Sequence, residues 1–474
     1  MVRARGGRYV TTYRRVLPDA LVAGAIGAVA IGVGVLVVKS PLLVIAAAGL
    51  TTLIVAGAVD ATFPTLAWLA IAPFVQAIEP GSPLLVFTIA FHRALLPIAA
   101  LGALLGEGVR GRVRLARSEK VLLVFVAYAT VSLIMSWRGS LSSIPGSEAT
   151  RTLLLSYVVP FGAFVLGRRV PRRSHRKVLG MLALVSAVIS AGGVLQSITG
   201  LAVFPGAGVW QEIWAPRAVG ALGNPAVSAY VAQVGTFIAI YLGFRRPGMR
   251  LFAAPAVLAG VAFTILTYTR SAWVALAVGV VAIAWLYRRA RPWVIVFVTV
   301  TVVAFSLNVG GLVDRAFLEE RAGNQENVEG RLAFGSTGFR MFKDEPLLGQ
   351  GFGRYDLASR EFASGFGGVG AAVAVYDTSH NTFLTILAEL GAIGFLLYGA
   401  AVFYGLRGAV RALRRRGAEV DRLELVSLLA AVLAYLVAAN LIDMRFFSFA
   451  VSLFWFTVGF LDSSVSAPRE PERA

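Results

Sequence analysis

Long apolar runs separated by short polar breaks dominate the chain, and this pattern predicts membrane-spanning helices. Each run holds roughly 17 to 27 residues, enough for a helix to cross a hydrocarbon core about 30 Å thick. We expect about fourteen spans, at 17–38, 41–58, 61–78, 84–106, 120–137, 150–167, 177–198, 224–243, 250–267, 271–287, 291–309, 379–405, 422–441 and 445–461. The pattern therefore predicts an all-α polytopic membrane protein with twelve to fourteen transmembrane helices.

Clusters of arginine and lysine between these runs give an independent test of the topology. They lie at 3–15, 110–120, 168–177, 245–250, 288–291 and 407–422, and Arg469 and Arg473 follow in the tail. Every interval between successive clusters contains an even number of predicted spans, so the chain returns to the same side each time. Because basic residues concentrate in cytoplasmic loops, we expect a cytoplasmic basic N-terminus over 1–16 and a disordered cytoplasmic tail over 462–474. We expect the protein to be a multi-pass protein of the bacterial cytoplasmic (inner) membrane.

The longest stretch without a spanning pattern, residues 310–378, then falls on the extracytoplasmic side. It separates the predicted helices one to eleven, over 17–309, from helices twelve to fourteen, over 379–461. Loops of this length are usually functional or disordered. This one combines polar, apolar and glycine-rich parts, so we expect short amphipathic helices at the membrane surface and a mobile glycine-rich section.

Composition supports the membrane interpretation and excludes several kinds of chemistry. Hydrophobic residues make up 57% of the chain and charged residues 15%, with a mean hydropathy of +0.76, whereas soluble domains carry about 25% charged residues. Without cysteine, disulfides and thiolate catalysis are excluded, and three histidines argue against a multi-histidine metal centre. Carboxylate metal sites remain possible on composition alone, and no cofactor is expected. The net charge of +19 lies mainly in the topogenic clusters, so we expect membrane lipids and no nucleic acid as partners.

Four side chains from separate parts of the sequence reach the predicted outer face, where basic residues are scarce: Arg217, Arg270, Arg331 and His380. Guanidinium groups bind phosphate oxygens in pairs and stay charged. Histidine titrates near neutrality, so it can accept a proton from a hydroxyl. Together these side chains suit a diphosphate-linked lipid whose glycan is attacked by a sugar hydroxyl.

Each of these residues taken alone also has a plainer explanation. Arg270 can anchor a hairpin at the lipid headgroups, and Arg217 and Arg331 can be solvated or paired in ordinary salt bridges. A histidine at a helix start, such as His380, is often only a polar interfacial residue. Their coincidence on one face is what favours a functional site.

A short motif marks the predicted start of span twelve: His380, Asn381, Leu384, Glu389, Gly391, Gly394 and Phe395. Three further matches lie upstream: Thr269-Arg270-Ser271, Arg331 ahead of the segment 344–351, and Arg217 ahead of Gly223-Asn224-Pro225. In this order, over roughly residues 210 to 400, the motifs resemble the O-antigen ligase and polymerase superfamily.

The resemblance implies a metal-independent, inverting glycosyltransferase of the membrane C-type class. Its donor would be a polyprenyl-diphosphate-linked glycan and its acceptor a glycan or lipid-glycan. The helix-start histidine of such families is the presumed base and outer-face arginines hold the diphosphate. By this resemblance, His380 would be the catalytic base. The diphosphate would be bound by Arg217, Arg270 and Arg331, with Arg340 as a rival for the role of Arg331. Asn381 and Glu389 would be supporting residues.

Two intramembrane features lead to structural predictions. Arg93 and Glu389 lie at similar depth in spans four and twelve, and ionisable groups there are costly unless paired. We therefore predict that Glu389 pairs with Arg93, or with another helix, as a structural strut, and that it is turned away from His380. Gly391 and Gly394 are predicted to allow close helix packing.

Two other functions remain open at this stage. A lipid-linked oligosaccharide flippase also has many helices, but it should show repeated halves and charges along a central path. A peptidoglycan polymerase of the SEDS type would be expected to use an acidic residue of the long loop, where Asp344, Asp356 and Asp377 are candidates. The sequence leaves the glycan, the acceptor and the choice between ligase and polymerase undetermined.

Overall fold

The computed structural model describes residues 41–78, 83–109, 111, 115–137, 146–201, 203–204, 208–307, 314, 316–317, 319, 326–363, 379–415 and 421–466. Within these ranges the regular elements are helices, and no β-strand is present. The expected N-terminal segment 1–16, the first span at 17–38 and the glycine-rich section of the long loop lie outside the described residues.

The first part of the bundle consists of helices that precede the long loop. They are α1 (Pro41–Val59), α2 (Thr62–Ile71), α3 (Pro83–Val109), α4 (Arg117–Trp137), α5 (Gly146–Leu153), α6 (Val159–Arg169), α7 (His175–Thr199), α8 (Gly208–Trp214), α9 (Pro225–Arg245), α10 (Arg250–Leu266), α11 (Arg270–Leu286) and α12 (Arg291–Ser306). A π-helical turn, Leu154–Val158, joins α5 to α6.

The second part contains the loop helices and the last spans. They are α13 (Glu326–Asp344), α14 (Tyr355–Phe362), α15 (Thr382–Arg414), α16 (Arg422–Ala439) and α17 (Ser448–Ser466). Helices α13, with 19 residues, and α14, with 8 residues, lie in the sequence of the long loop; the expectation of short helices on the membrane surface stays a prediction. Helix α17 extends beyond the expected boundary at 461, into the segment predicted to be disordered.

Eight helices of the described ranges are long and apolar enough to cross a membrane. A bent pair, Arg270–Leu286 with Arg288–Val303, brings this number to nine if it forms one span. The chain is therefore a multi-pass helical membrane protein, while the expected total of about fourteen spans stays a prediction.

The apolar run at 61–78 does not form the continuous span that its hydropathy suggests. Helix α2 ends at Ile71 and a 3₁₀ turn follows over Ala72–Ala77. Pro73 stands at the start of this turn, and proline has no amide hydrogen to continue the helix. Ten helical residues reach only about 15 Å, which is too short for a bilayer core.

The position of the site depends on the packing of α11 along α16. At one end of this pair, Nε of Arg422 donates to the carbonyl oxygen of Leu286 over 3.2 Å. Arg270 therefore lies at the opposite end, beside the end of α16 at Ala439. The chain turns there through residues 440–447 into α17, and we call this end of the bundle the site end.

Helix α17 is held in the centre of the bundle by its contact with α6. A Cβ atom at Gly459 would overlap the carbonyl oxygen of Phe164, and one at Gly167 would overlap that of Phe456. The two backbones thus touch, as small residues permit in membrane helices. This close packing fixes the start of α17, and hence the turn 440–447, relative to the rest of the fold.

Candidate functional site

His380 lies immediately before α15 rather than within it. Its backbone has a φ of 53°, a left-handed conformation that is uncommon for a residue other than glycine. Asn381 is the N-cap of α15, since its Oδ1 accepts from the amides of Phe383 at 3.0 Å and Leu384 at 3.1 Å. The helix start that presents His380 is therefore fixed by the side chain of the next residue.

The imidazole of His380 is about half-buried against an aromatic ring. Its centroid lies 4.6 Å from that of Phe334, with the two planes at 62°. Burial lowers the pKa of His380 from its ordinary value, and the positive charge of Arg331 lowers this pKa further, while the carboxylate of Asp443 opposes both. The neutral imidazole, which is the form that can accept a proton, is thereby favoured.

Arg331 and Phe334 reach His380 from the same side of α13. They are three residues apart, so they lie on one helix face. The Nη1 atom of Arg331 also donates to the carbonyl oxygen of Leu441 over 3.2 Å. The loop helix α13 thus connects the histidine to the turn between α16 and α17.

Arg340 takes a different position from Arg331. Nine residues further along α13 correspond to about 900°, or half a turn beyond two full turns, so Arg340 points to the other side. Its Nη1 donates to the carbonyl oxygen of Phe362 over 3.2 Å and links α13 to the end of α14. Of the two rival arginines, Arg331 is the one placed beside His380.

Arg217 braces the hairpin that precedes Arg270. Its Nε donates to the carbonyl oxygen of Thr267 at 2.9 Å and its Nη2 to Oγ1 of Thr269 at 2.7 Å. The guanidinium carbon also lies 5.0 Å from the ring centroid of Trp214, a cation–π distance. Arg217 and Arg270, which are distant in the sequence, therefore lie at the same hairpin.

Arg270 is exposed and is the first residue of α11. It lies at the site end of α11, beside the end of α16, and Leu441, which accepts from Arg331, comes just after α16. The structure thus places Arg270, Arg331 and His380 at the same end of the bundle.

The beginning of the long loop is attached to the same hairpin. The hydroxyl oxygen of Tyr268 accepts from the amide of Asp314 over 2.6 Å, and the Tyr268 ring lies 5.2 Å from that of Phe317. Tyr268 itself has a φ of 47°. The hairpin next to Arg270 is therefore a docking point for the loop that carries Arg331.

The predicted pair of Glu389 with Arg93 is wrong. Glu389 is buried and its Oε2 accepts from Nη1 of Arg445 over 2.7 Å. The same guanidinium is held by Asp443, through Nη2 to Oδ2 at 2.9 Å and Nε to both carboxylate oxygens at 3.1 Å. Arg93 is exposed on α3.

Sequence reasoning missed Asp443 and Arg445, although a signal was present. Arg445 lies on the predicted outer face at the start of the last span, where basic residues are scarce, and an aspartate lies two positions before it. Both side chains are buried, and they contribute one positive and one negative charge. With Glu389 they form a buried cluster of two carboxyl groups and one guanidinium, in which Asp443 is the group that acts electrostatically on His380.

A hydroxyl joins this cluster to the helix that follows His380. Oγ1 of Thr382 accepts from the amide of Met444 at 2.9 Å and donates to the carbonyl oxygen of Ile442 at 3.3 Å. On the other side, Oγ of Ser156 donates to the carbonyl oxygen of Arg445 at 2.5 Å. The turn 440–447 is thus held between α15 and the π-helical turn.

Gly391 interrupts α15, because its φ of 62° and ψ of −168° are not helical. Backbone amides and carbonyls freed by the break pair with the loop segment 346–351: the amide of Gln350 donates to Ala388 at 2.9 Å and that of Ala392 to Pro346 at 2.9 Å. The expected close packing at Gly391 is therefore with a loop, not with a helix. Gly394 faces Tyr128 of α4, as close helix packing predicts.

Comparison with known proteins agrees with these motifs. Residues 255–399 match the family model described as O-antigen ligase. The matched stretch contains Arg270, Arg331, His380 and Glu389, whereas Arg217 lies before it and Arg445 after it. No curated protein matches the chain. Over residues 255–399, the chain is therefore similar to the O-antigen ligase family, and this match supports the resemblance to the O-antigen ligase and polymerase superfamily.

Proposed function

We propose that the protein transfers a glycan from a polyprenyl-diphosphate carrier to an acceptor hydroxyl on the extracytoplasmic face of the bacterial cytoplasmic membrane, without a metal and with inversion at the anomeric carbon. The proposal is supported by the match to the O-antigen ligase family. The observation that carries it is the juxtaposition of His380, whose pKa is lowered, with Arg331 of the long loop. A proton acceptor and a phosphate-binding cation are the two groups that this reaction needs.

In this mechanism, Nδ1 or Nε2 of His380 accepts the proton of the acceptor hydroxyl. The hydroxyl oxygen then attacks the anomeric carbon, and the bond from that carbon to the diphosphate oxygen breaks. The electron pair of the broken bond stays on the diphosphate, which leaves with the polyprenyl chain. Attack opposite to the leaving group inverts the anomeric configuration.

The arginines stabilise the charge that develops on the departing diphosphate. Arg331 acts from the loop helix and Arg270 from the start of α11. Arg217 holds the hairpin of Arg270 through Thr267 and Thr269 and adds its own charge to the site. Fixed cations aimed at a developing negative charge are commonly the largest contribution to such catalysis.

Asp443 supplies a counter-charge for the histidine. When His380 takes up a proton, an imidazolium forms in a half-buried position, and a nearby carboxylate stabilises it. Arg445 binds this carboxylate with three hydrogen bonds and therefore keeps it in place. The cluster beneath the helix start thus acts on the base without contacting the substrate.

The test is reconstitution of the purified protein in liposomes with a polyprenyl-diphosphate oligosaccharide and a panel of candidate glycan acceptors. We expect transfer by the wild type, in the presence of a chelator as well, and its loss in His380→Ala and Arg270→Ala. Arg250→Ala is a matched control, because Arg250 is likewise exposed and begins a helix at the other end of the bundle. Unchanged transfer by His380→Ala would remove the assigned base, and loss of transfer with the chelator would remove the metal-free mechanism.

A further inference from the structure

A cavity of about 500 Å³ lies between the start of α2 and the start of α7. Its lining comes from residues 60–66 on one side and from residues 173–177 on the other. The volume falls within the range of about 300–1,000 Å³ that is usual for sites of small molecules. The cavity is therefore large enough to hold a ligand, and the chemistry of its lining indicates which kind.

This cavity lies at the end of the bundle opposite the site end. Helix α17 starts at the site end with Ser448, and Ser464, sixteen residues later, is about 24 Å further along the helix. The carbonyl oxygen of Ser464 accepts from Nη2 of Arg172 over 2.5 Å. Because Arg172 directly precedes the lining residue Arg173, the cavity is remote from His380 and has no part in the proposed reaction.

Two basic side chains line the cavity, and one carboxylate stands against them. Nη2 of Arg173 lies 3.5 Å from Oδ2 of Asp60. Lys177 is exposed and makes no ion pair within the described part of the chain. By contrast, Arg168 and Arg169 of the same basic segment are bound by carboxylates. The described lining is thus left with one excess positive charge, which favours an anion.

The remaining lining residues change from polar to apolar. Thr62 and Ser174 carry hydroxyl groups and are only 8% and 5% exposed. Phe63 and Leu66 are three residues apart, so they lie on one face of α2 and form the apolar side. Helix α2 is apolar, and α7 is long and apolar enough to cross a membrane. A matching ligand therefore has an anionic part next to hydrogen-bonding groups and an apolar part beside it.

We propose that the cavity binds the headgroup of an anionic phospholipid, with the phosphate at Arg173 and Lys177 and the start of an acyl chain along Phe63 and Leu66. Basic pockets between membrane helices are a recurring form of lipid-headgroup site. A free phosphate would match the cations but would leave the apolar side without a partner, so a lipid is the occupant we assign. The bound lipid connects α2, which is too short to cross the bilayer, to the spanning helix α7.

The test compares two lysines at the same end of the bundle. Lys177→Met removes the cation of the cavity that has no carboxylate partner. Lys120→Met removes an exposed lysine of α4 outside the cavity, next to Glu119, which binds Arg168. The full-length proteins, delipidated in dodecyl maltoside, are titrated with dioleoyl phosphatidylglycerol, and native mass spectrometry gives the Kd of the first bound lipid. Dioleoyl phosphatidylcholine and glycerol 3-phosphate are added as competitors.

We expect Lys177→Met to weaken binding of the first phosphatidylglycerol about fivefold, which corresponds to the contribution of one basic residue near an anionic lipid surface. Lys120→Met should leave this Kd unchanged. Phosphatidylcholine has no net charge and glycerol 3-phosphate has no acyl chain, so neither should displace the bound lipid. Equal Kd values for the two variants would overturn the inference. Displacement by glycerol 3-phosphate would overturn the assignment to a lipid, and displacement by phosphatidylcholine would overturn the role of charge.

Arg173→Met provides a second variant if Lys177→Met does not give a monodisperse protein. It removes the other cation of the cavity, and we expect a loss of affinity of about the same size. An unchanged Kd in Arg173→Met would overturn the inference in the same way. The readout is lipid binding, so the result does not depend on whether the protein transfers a glycan.

Discussion

Arg445 donates to Glu389 over 2.7 Å between two buried side chains that are 56 residues apart in the sequence. This ion pair joins the turn 440–447 to the broken helix that begins beside His380. Because Asp443 holds the other edge of the guanidinium, the arginine bridges two carboxylates. The arrangement fixes the distance between the turn 440–447 and the segment of α15 that precedes Gly391.

Removal of the guanidinium should therefore destabilise the fold. Arg445→Met leaves the carboxylates of Asp443 and Glu389 buried without their partner, which costs about 3–5 kcal/mol in comparable buried pairs. We expect a clear drop of the melting temperature, measured by the fluorescence of the purified protein in detergent. Arg445→Met combined with Glu389→Gln should recover part of the loss. Arg93→Met is the control, and a similar drop there would contradict the assignment of Arg445 as the partner.

Gly391 should not tolerate replacement even by alanine, the residue with the smallest side chain. Its φ and ψ belong to a region essentially restricted to glycine, where other residues carry about 1–3 kcal/mol of strain. In addition, a Cβ atom there would overlap the carbonyl oxygen of Leu347. We expect Gly391→Ala to lower both the melting temperature and the transfer activity.

Gly399→Ala is the matched control for this substitution, since it lies in the same helix with open space around it. Alanine is also the better helix former, so Gly399→Ala should be neutral or slightly stabilising. Equal melting temperatures for the two variants would show that the break in α15 does not require glycine.

Much of this architecture follows from hydropathy and charge patterns. The runs at 224–243, 250–267 and 422–441 correspond closely to α9, α10 and α16, because long apolar segments bounded by basic residues have few alternatives. Arg270, Arg331 and His380 could be singled out from short motifs, and all three lie within the matched residues 255–399; their functional roles stay predictions.

Interruptions within apolar runs were not predictable in the same way. Hydropathy patterns do not predict the non-helical backbone of Gly391 or the 3₁₀ turn after Ile71, because both depend on which loop or helix packs against the break. The same reason explains the wrong partner for Glu389. Similar depth in the membrane made Arg93 plausible, but only the packing of residues 440–447 against α15 brings Arg445 to the carboxylate.

Two arginines on one helix offer a direct test of the proposed phosphate-binding role. Arg331→Gln should lower kcat/KM for the lipid donor by about 100-fold, since it removes a cation beside the leaving group. Arg340→Gln should stay close to wild type, because Arg340 instead contacts the carbonyl oxygen of Phe362. Initial rates at varied donor concentration check both variants, and a larger loss in Arg340→Gln would reverse the assignment.

The pH dependence of transfer should report on the charges around His380. If His380 is the base, its neutral form is active, and kcat/KM rises with pH through the pKa of this imidazole. Burial and Arg331 lower that pKa, so the acid limb of the profile should lie below the ordinary histidine value. Asp443 raises the pKa, so Asp443→Asn should move the limb to lower pH, while Arg331→Gln should move it to higher pH.

A carboxylate with a purely structural role would change the height of the profile and leave the midpoint where it is. Opposite shifts in the two variants, with Asp344→Asn as an exposed control, are therefore the result that identifies Asp443 as the counter-charge of the base.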